Sequence, residues 1–223
     1  MLSDADERAC DTPRANAVNE TIPTHAVTYP TPPPVPAETR PDVHKVGMVT
    51  FFVSEVAFFS TLIMTYIIFM GESKTGPTPA EVLSLPLVLG TTFCLLSSSV
   101  TIHFAERALR ASNRAAFGFL WSLTILLGCL FIAGTAYEWF ELITKHHLTI
   151  SRNLFGTTFF TLIGFHAFHV SVGLILLAVM LGLVLRNKIK PPESLGIELV
   201  SWYWHFVDAV WIVVFLLVYV IGR

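Results

Sequence analysis

The stretch Val46–Met70, VGMVTFFVSEVAFFSTLIMTYIIFM, is an unbroken apolar run with one formally charged side chain, Glu55. A helix rises about 1.5 Å per residue, so a run of this length exceeds the roughly 20 residues needed to cross a bilayer. No alternation of polar and apolar residues suggests a barrel strand, and only helices and closed barrels satisfy their backbone in hydrocarbon. The stretch therefore reads as a transmembrane helix. A carboxyl at its middle is costly, and such residues mark functional or tightly paired sites.

Four further runs follow, at Leu83–Ala105, Ala116–Tyr137, Phe155–Leu185 and Ile197–Ile221. The fold expected is an all-α integral membrane bundle of five transmembrane helices over residues 43–223. The fourth run is too long to stand straight, so tilt or a protruding end is expected. The composition agrees. The chain has 223 residues, 53% hydrophobic and 13% charged, and a mean hydropathy of +0.65. A soluble domain carries about 25% charged residues. The net charge of −2 and the lack of a basic stripe argue against nucleic acid as a partner. Cys10, Cys94 and Cys129 are isolated and form neither a disulfide framework nor a metal knuckle.

Residues 1–42 are polar and hold eight of the thirteen prolines, including Pro32-Pro33-Pro34. This segment reads as a disordered Pro-rich tail, with docking on a partner subunit as the sharper alternative. It has no apolar leader core, so span one is expected to serve as its own insertion signal.

Basic residues near the span ends divide unequally. Arg40, Lys45, Arg107, Arg110, Arg114, Arg186, Lys188 and Lys190 fall on one side, and Lys74, Lys145, Arg152 and Arg223 on the other. The richer side is expected to be cytoplasmic, with the N-terminus inside. Glu55 then lies about 14 Å along span one. His166 and His169 in span four, and His205 and Asp208 in span five, fall at a similar depth. Each pair has i,i+3 spacing, which puts both side chains on one helix face. Polar groups in hydrocarbon must find one another. A buried hydrogen-bonded, proton-linked cluster of Glu55, His166, His169, His205 and Asp208 is expected to join spans one, four and five.

Metal chemistry is the competing reading. A di-iron carboxylate site needs Glu-x-x-His on two helices and two further Glu, whereas this chain offers His205-x-x-Asp208 and Glu138-x-x-Glu141. Six-coordinate haem needs ligands on opposed faces, and His166 and His169 share one. Spacing alone leaves open a copper site built from histidines on neighbouring helices. No metal is expected in this chain. Glu138 and Glu141 fall near a span end and read as a solvated rim. Arg107 and Arg186 snorkel towards headgroups or hold an anionic lipid. Trp202 and Tyr203 read as an interfacial belt, and Trp211 is deep enough to pack against a neighbour. Gly128, Gly134, Gly164 and Gly173 permit close helix approach.

Three segments occur in order: Ser54-Glu55-Val56-Ala57-Phe58-Phe59, Gly164-Phe165-His166-Ala167-Phe168-His169-Val170, and Trp202-Tyr203-Trp204-His205-Phe206-Val207-Asp208-Ala209-Val210-Trp211. Together with Tyr137-Glu138-Trp139-Phe140-Glu141 and Gly156-Thr157-Thr158-Phe159-Phe160 they resemble subunit III of the haem–copper oxygen reductases, the cytochrome c oxidase subunit III family, from about residue 44 to 223. The chain is similar to the short five-helix bacterial form, without the first two spans of the seven-span form. Ala167 stands where many members have Gly.

The resemblance implies a non-catalytic subunit of a proton-pumping terminal oxidase that oxidises cytochrome c and reduces oxygen to water. It would pack on subunit I, with subunit II and other respiratory subunits as further partners. Haem and copper would reside in those partners, with none in this chain. Glu55 would correspond to the carbodiimide-reactive carboxyl of the family. Bound phospholipid is implied, with Arg186 at a basic headgroup contact. The implied roles are support of proton uptake and of durability, and the implied location is a bacterial inner membrane. Close alternatives are an accessory subunit of nitric oxide reductase or subunit III of a quinol oxidase. A stand-alone ion transporter is the alternative from another class, and the chain shows no internal repeat or broken helix to support it.

Overall fold

The computed structural model describes residues 42–70, 84–145, 154–186, 188 and 195–222. The Pro-rich tail before Asp42 lies outside the described residues, as do Arg40, Lys74, Arg152, Lys190 and Arg223. The described residues form five long helices: α1 Val43–Ile68, α2 Leu85–Arg110, α3 Arg114–Thr144, α4 Leu154–Leu185 and α5 Leu195–Phe215. A π-helical turn, Leu216–Ile221, continues α5. All five are long and apolar enough to cross a membrane.

The helices outrun their apolar stretches. α2 continues through Arg107 to Arg110, and α3 begins at Arg114 and continues to Thr144. A helix of 31 residues is about 46 Å long and passes beyond a hydrocarbon layer of about 30 Å, so its charged ends stand in the headgroup region. Local chemistry sets the ends. The Asp42 side chain accepts from the His44 backbone N–H at 3.1 Å and starts α1. Between α2 and α3 the chain reverses within three residues. Ser112 is left-handed, with φ 58°, and Asn113 N–H reaches back to Ala108 O at 2.9 Å, which closes a Schellman turn. Asn113 Oδ1 then accepts from Ala116 N–H at 3.0 Å and caps α3.

This tight hairpin gives the closest pairing in the bundle, α2 on α3, while α4 lies against α1, α3 and α5. Thr101 and Thr124 hydroxyls meet at 2.7 Å and mark the antiparallel register of α2 and α3. Between membrane helices there is no hydrophobic drive, so close packing and polar contacts hold the bundle together. Three tryptophans supply both. Trp121, Trp204 and Trp211 are almost fully buried. Their indole N–H groups donate to Leu177 O, Ser98 Oγ and Thr92 Oγ1 at 2.9, 2.8 and 3.0 Å. Trp204 fits only because α3 and α4 present glycines to it. A Cβ on Gly128 or Gly173 would come within 2.8 or 2.9 Å of its ring.

The aromatic belt reading does not hold for Tyr203. Tyr203 is buried and donates its hydroxyl to the His169 carbonyl at 3.0 Å. Trp211 packs deep, as its position predicts, stacked on His166 at 4.9 Å between centroids.

Candidate functional site

The structure brings the mid-span polar residues together in two places. The first is the seam between α1 and α4. His169 Nε2 stands 3.1 Å from Glu55 Oε2, within ion-pair range, although the two lack the alignment of a hydrogen bond. The other ring nitrogen, Nδ1, lies 2.7 Å from Phe165 O. A carbonyl can only accept, so Nδ1 carries a hydrogen. Nε2 then holds either a lone pair or, in the imidazolium, a second hydrogen. A lone pair facing a bare carboxylate is repulsive. A proton on either partner relieves that repulsion.

This pair is not sealed. Glu55 and His169 side chains retain 17% and 13% of their exposure. They border a groove of about 510 Å³ whose walls include Met48, Phe51, Phe168, Val172 and Leu176. At the Lys45 end of the same side, Lys45 Nζ meets Glu198 Oε1 at 2.8 Å and stands 5.6 Å above the Trp202 ring, tying α1 to α5.

The second place is the seam between α2 and α5. The Ser99 hydroxyl donates to Asp208 Oδ2 through a short contact. With its hydrogen committed, Ser99 Oγ accepts from His205 Nδ1–H at 3.2 Å. His205, Ser99 and Asp208 thus form a directed chain of donors. Asp208 is 3% exposed, and its Oδ1 has no partner. Here the i,i+3 spacing works as expected, since His205 and Asp208 serve one site.

In α4 the same spacing separates the histidines. Three residues advance a helix by about 300°, leaving His166 and His169 about 60° apart, and at this packing density that is enough to send them into different seams. His166 is fully buried, both its ring nitrogens lack partners, and it lies between Trp211 and the edge of Phe131. The expectation of one cluster joining three spans thus becomes two pairs and a lone imidazole.

Two residues escaped the sequence reading. Ser99 belongs to the α2–α5 site, and the run Ser97-Ser98-Ser99 at the depth of His205 was the available signal. Glu138 is buried, 4% exposed, and its Oε2 accepts from the Tyr219 hydroxyl at 2.9 Å. This corrects its reading as a solvated rim. Glu141 does face out, paired with Lys145 at 2.7 Å, and that carboxylate raises the Lys145 pKa above its ordinary value.

Arg107 and Arg186 are exposed at the Lys45 end of the bundle. Among the described residues no group of three or more His, Cys, Asp or Glu side chains is placed to hold a metal ion. The donor sets are a Glu–His pair, a His–Ser–Asp chain and a single His. None of these fits haem ligation from opposed faces or a di-iron site.

The family model for cytochrome c oxidase subunit III matches residues 39–223. The chain is 38% identical to the cytochrome c oxidase subunit 3 of Corynebacterium diphtheriae, across 85% of this chain and 94% of that one. It is 36% identical to the protein of the same description from Synechocystis, across 82% and 77%. For that of Rattus norvegicus the identity is 37%, across 78% and 67%. With a five-span helical bundle and a family match over its whole helical region, the chain belongs to the cytochrome c oxidase subunit III family.

Proposed function

We propose that this chain is the non-catalytic subunit III of a proton-pumping haem–copper terminal oxidase. It packs on subunit I and supports proton uptake and the stability of the complex. The observation that carries this reading is the family match over residues 39–223, joined to polar sites built for protons rather than metals. Glu55 and His169 face each other at 3.1 Å beside an open groove, where a proton can be taken up or released. The described donor sets do not fit haem ligation or a di-iron site, and in this reading haem and copper sit in the partner subunits. Haem and copper held there would supply the electron transfer and oxygen reduction. This chain's own residues exchange protons and hold the bundle together.

The orientation proposed has the Lys45 end in the bacterial cytoplasm, because Lys45, Arg107, Arg110, Arg114, Arg186 and Lys188 gather there while Lys145 stands at the other end. Arg107 and Arg186 are suited to phospholipid phosphates on that side. The relatives are cytochrome c oxidase subunits, which favours cytochrome c as electron donor over quinol, and an oxidase over a nitric oxide reductase.

The test is gentle detergent purification with visible spectroscopy and mass identification of what travels with the chain. A haem-bearing subunit I and a subunit II with a dinuclear-copper motif should co-purify, and the chain alone should be colourless. A chain that purifies alone, or that carries a pigment, would contradict the proposal.

A further inference from the structure

The far end of the bundle holds a second buried acid that the proposed function leaves unused. Glu138 lies in the last two turns of α3, yet it is 4% exposed. Its Oε2 accepts from the Tyr219 hydroxyl, and its Oε1 is enclosed with no partner. A carboxylate carries about four acceptor sites, and here one donor serves them all.

The backbone around Tyr219 is specialised for this contact. Tyr219 sits in the π-helical turn Leu216–Ile221, closed by Gly222 N–H on Leu217 O at 2.8 Å. Leu217, Val218 and Tyr219 are all buried. The widened turn lets Val218 stay in the core while Tyr219 also turns inward. Isolated π turns recur at functional sites. The next residue is constrained as well. A Cβ on Gly222 would come within 2.8 Å of the Tyr66 hydroxyl and 3.0 Å of Leu217 O. The ends of α1 and α5 therefore close over the same region.

We propose that Glu138 and Tyr219 form a proton-binding site at this end of the bundle, with the π turn as the element that aims the tyrosine. A buried carboxylate with a single hydrogen-bond donor is poorly compensated. Binding a proton at Oε1 removes the charge, and Oε2 remains as the carbonyl oxygen that Tyr219 already donates to. The step is a simple protonation. Water at that end of the bundle supplies H⁺, the carboxylate becomes the acid, and no electron moves.

Among the described residues the titratable and charged groups around the site are few. Tyr219 comes from α5 and its π turn, and Tyr66 from α1. Glu141 and Lys145 lie on the next turn of α3, already paired with each other. A metal cation is disfavoured as occupant, since no described cluster of acids, histidines and cysteines includes this carboxyl. This site is independent of the Glu55–His169 pair and of any role in proton uptake.

Infrared difference spectra of the intact oxidase complex, taken between acidic and alkaline pH, test the proposal. A carboxylic-acid C=O band should be absent in Glu138→Gln and retained in Glu55→Gln. It should move to higher wavenumber in Tyr219→Phe, because the lost hydrogen bond had weakened the carbonyl. If Glu138→Gln leaves every acid band in place and removes a carboxylate stretch instead, the proposal fails. Should Glu138→Gln not assemble, Tyr219→Phe decides alone, and an unmoved acid band overturns the proposal.

Discussion

The α1–α4 seam and the α2–α5 seam each pair an acid with a histidine, and they are built in opposite ways. In the first, Glu55 and His169 face each other directly beside an open groove. In the second, Ser99 stands between His205 and Asp208, and the acid is 3% exposed. The helices that carry the two acids differ in the same sense. Within the chain α1 buries only Phe59 and Tyr66, whereas α5 buries residues from Ile197 to Val214, although both are apolar enough to span. Hydropathy selects what enters a membrane, and it does not tell lipid from protein as the neighbour. α1 leaves most of its surface for lipid or a partner subunit, while α5 forms the core.

The contrast predicts unequal responses to mutation. Trp204→Ala should have the largest effect, a loss of about 3 to 5 kcal/mol, because the ring fills the space between Gly128 and Gly173 and caps Ser98. Thermal release of the chain from the purified complex would measure it, and a shift no larger than that of a surface variant would break the account of the core. Ser99→Ala comes next, at about 1 to 3 kcal/mol, since it strands His205 Nδ1–H and Asp208 Oδ2 together. Asp208→Asn, which keeps an acceptor for Ser99, should cost less in the same assay. A hydrophobic carbodiimide should modify Glu55 before Asp208, as read by peptide mass. Equal labelling would erase the difference in access between the seams. Glu55→Gln should be the mildest, within about 1 kcal/mol, because the amide keeps a hydrogen-bonding group opposite His169 and removes a costly charge from the span.

Much of this architecture was legible beforehand. Each of the five apolar runs is longer than a bilayer crossing requires, so the number of helices followed from length alone. Depth was legible too, because distance along a helix follows from residue count. Azimuth was not. α3 and α4 are apolar on all sides and offer no stripe from which to read a facing direction, so Glu138 looked like a rim residue until the fold turned it inward. The separation of His166 from His169 has the same origin, since an i,i+3 pair shares a face only when one neighbour covers both. Tyr219 needed a change of helix type that no residue pattern announces. Ser99 was readable in principle, as a hydroxyl at the depth of His205, but serines in membrane helices often bond their own backbone, as Ser98 does to Leu95 O at 2.5 Å.

The central claim is that this chain sustains a haem-bearing partner without a redox centre of its own. It is tested most directly by stripping the chain from the purified oxidase and recording the absorption spectrum and the number of turnovers before activity is lost. The account predicts an unchanged haem spectrum and a shortened working life, restored when the chain is added back. Loss of a pigment with the chain, or a working life that does not change, would contradict it.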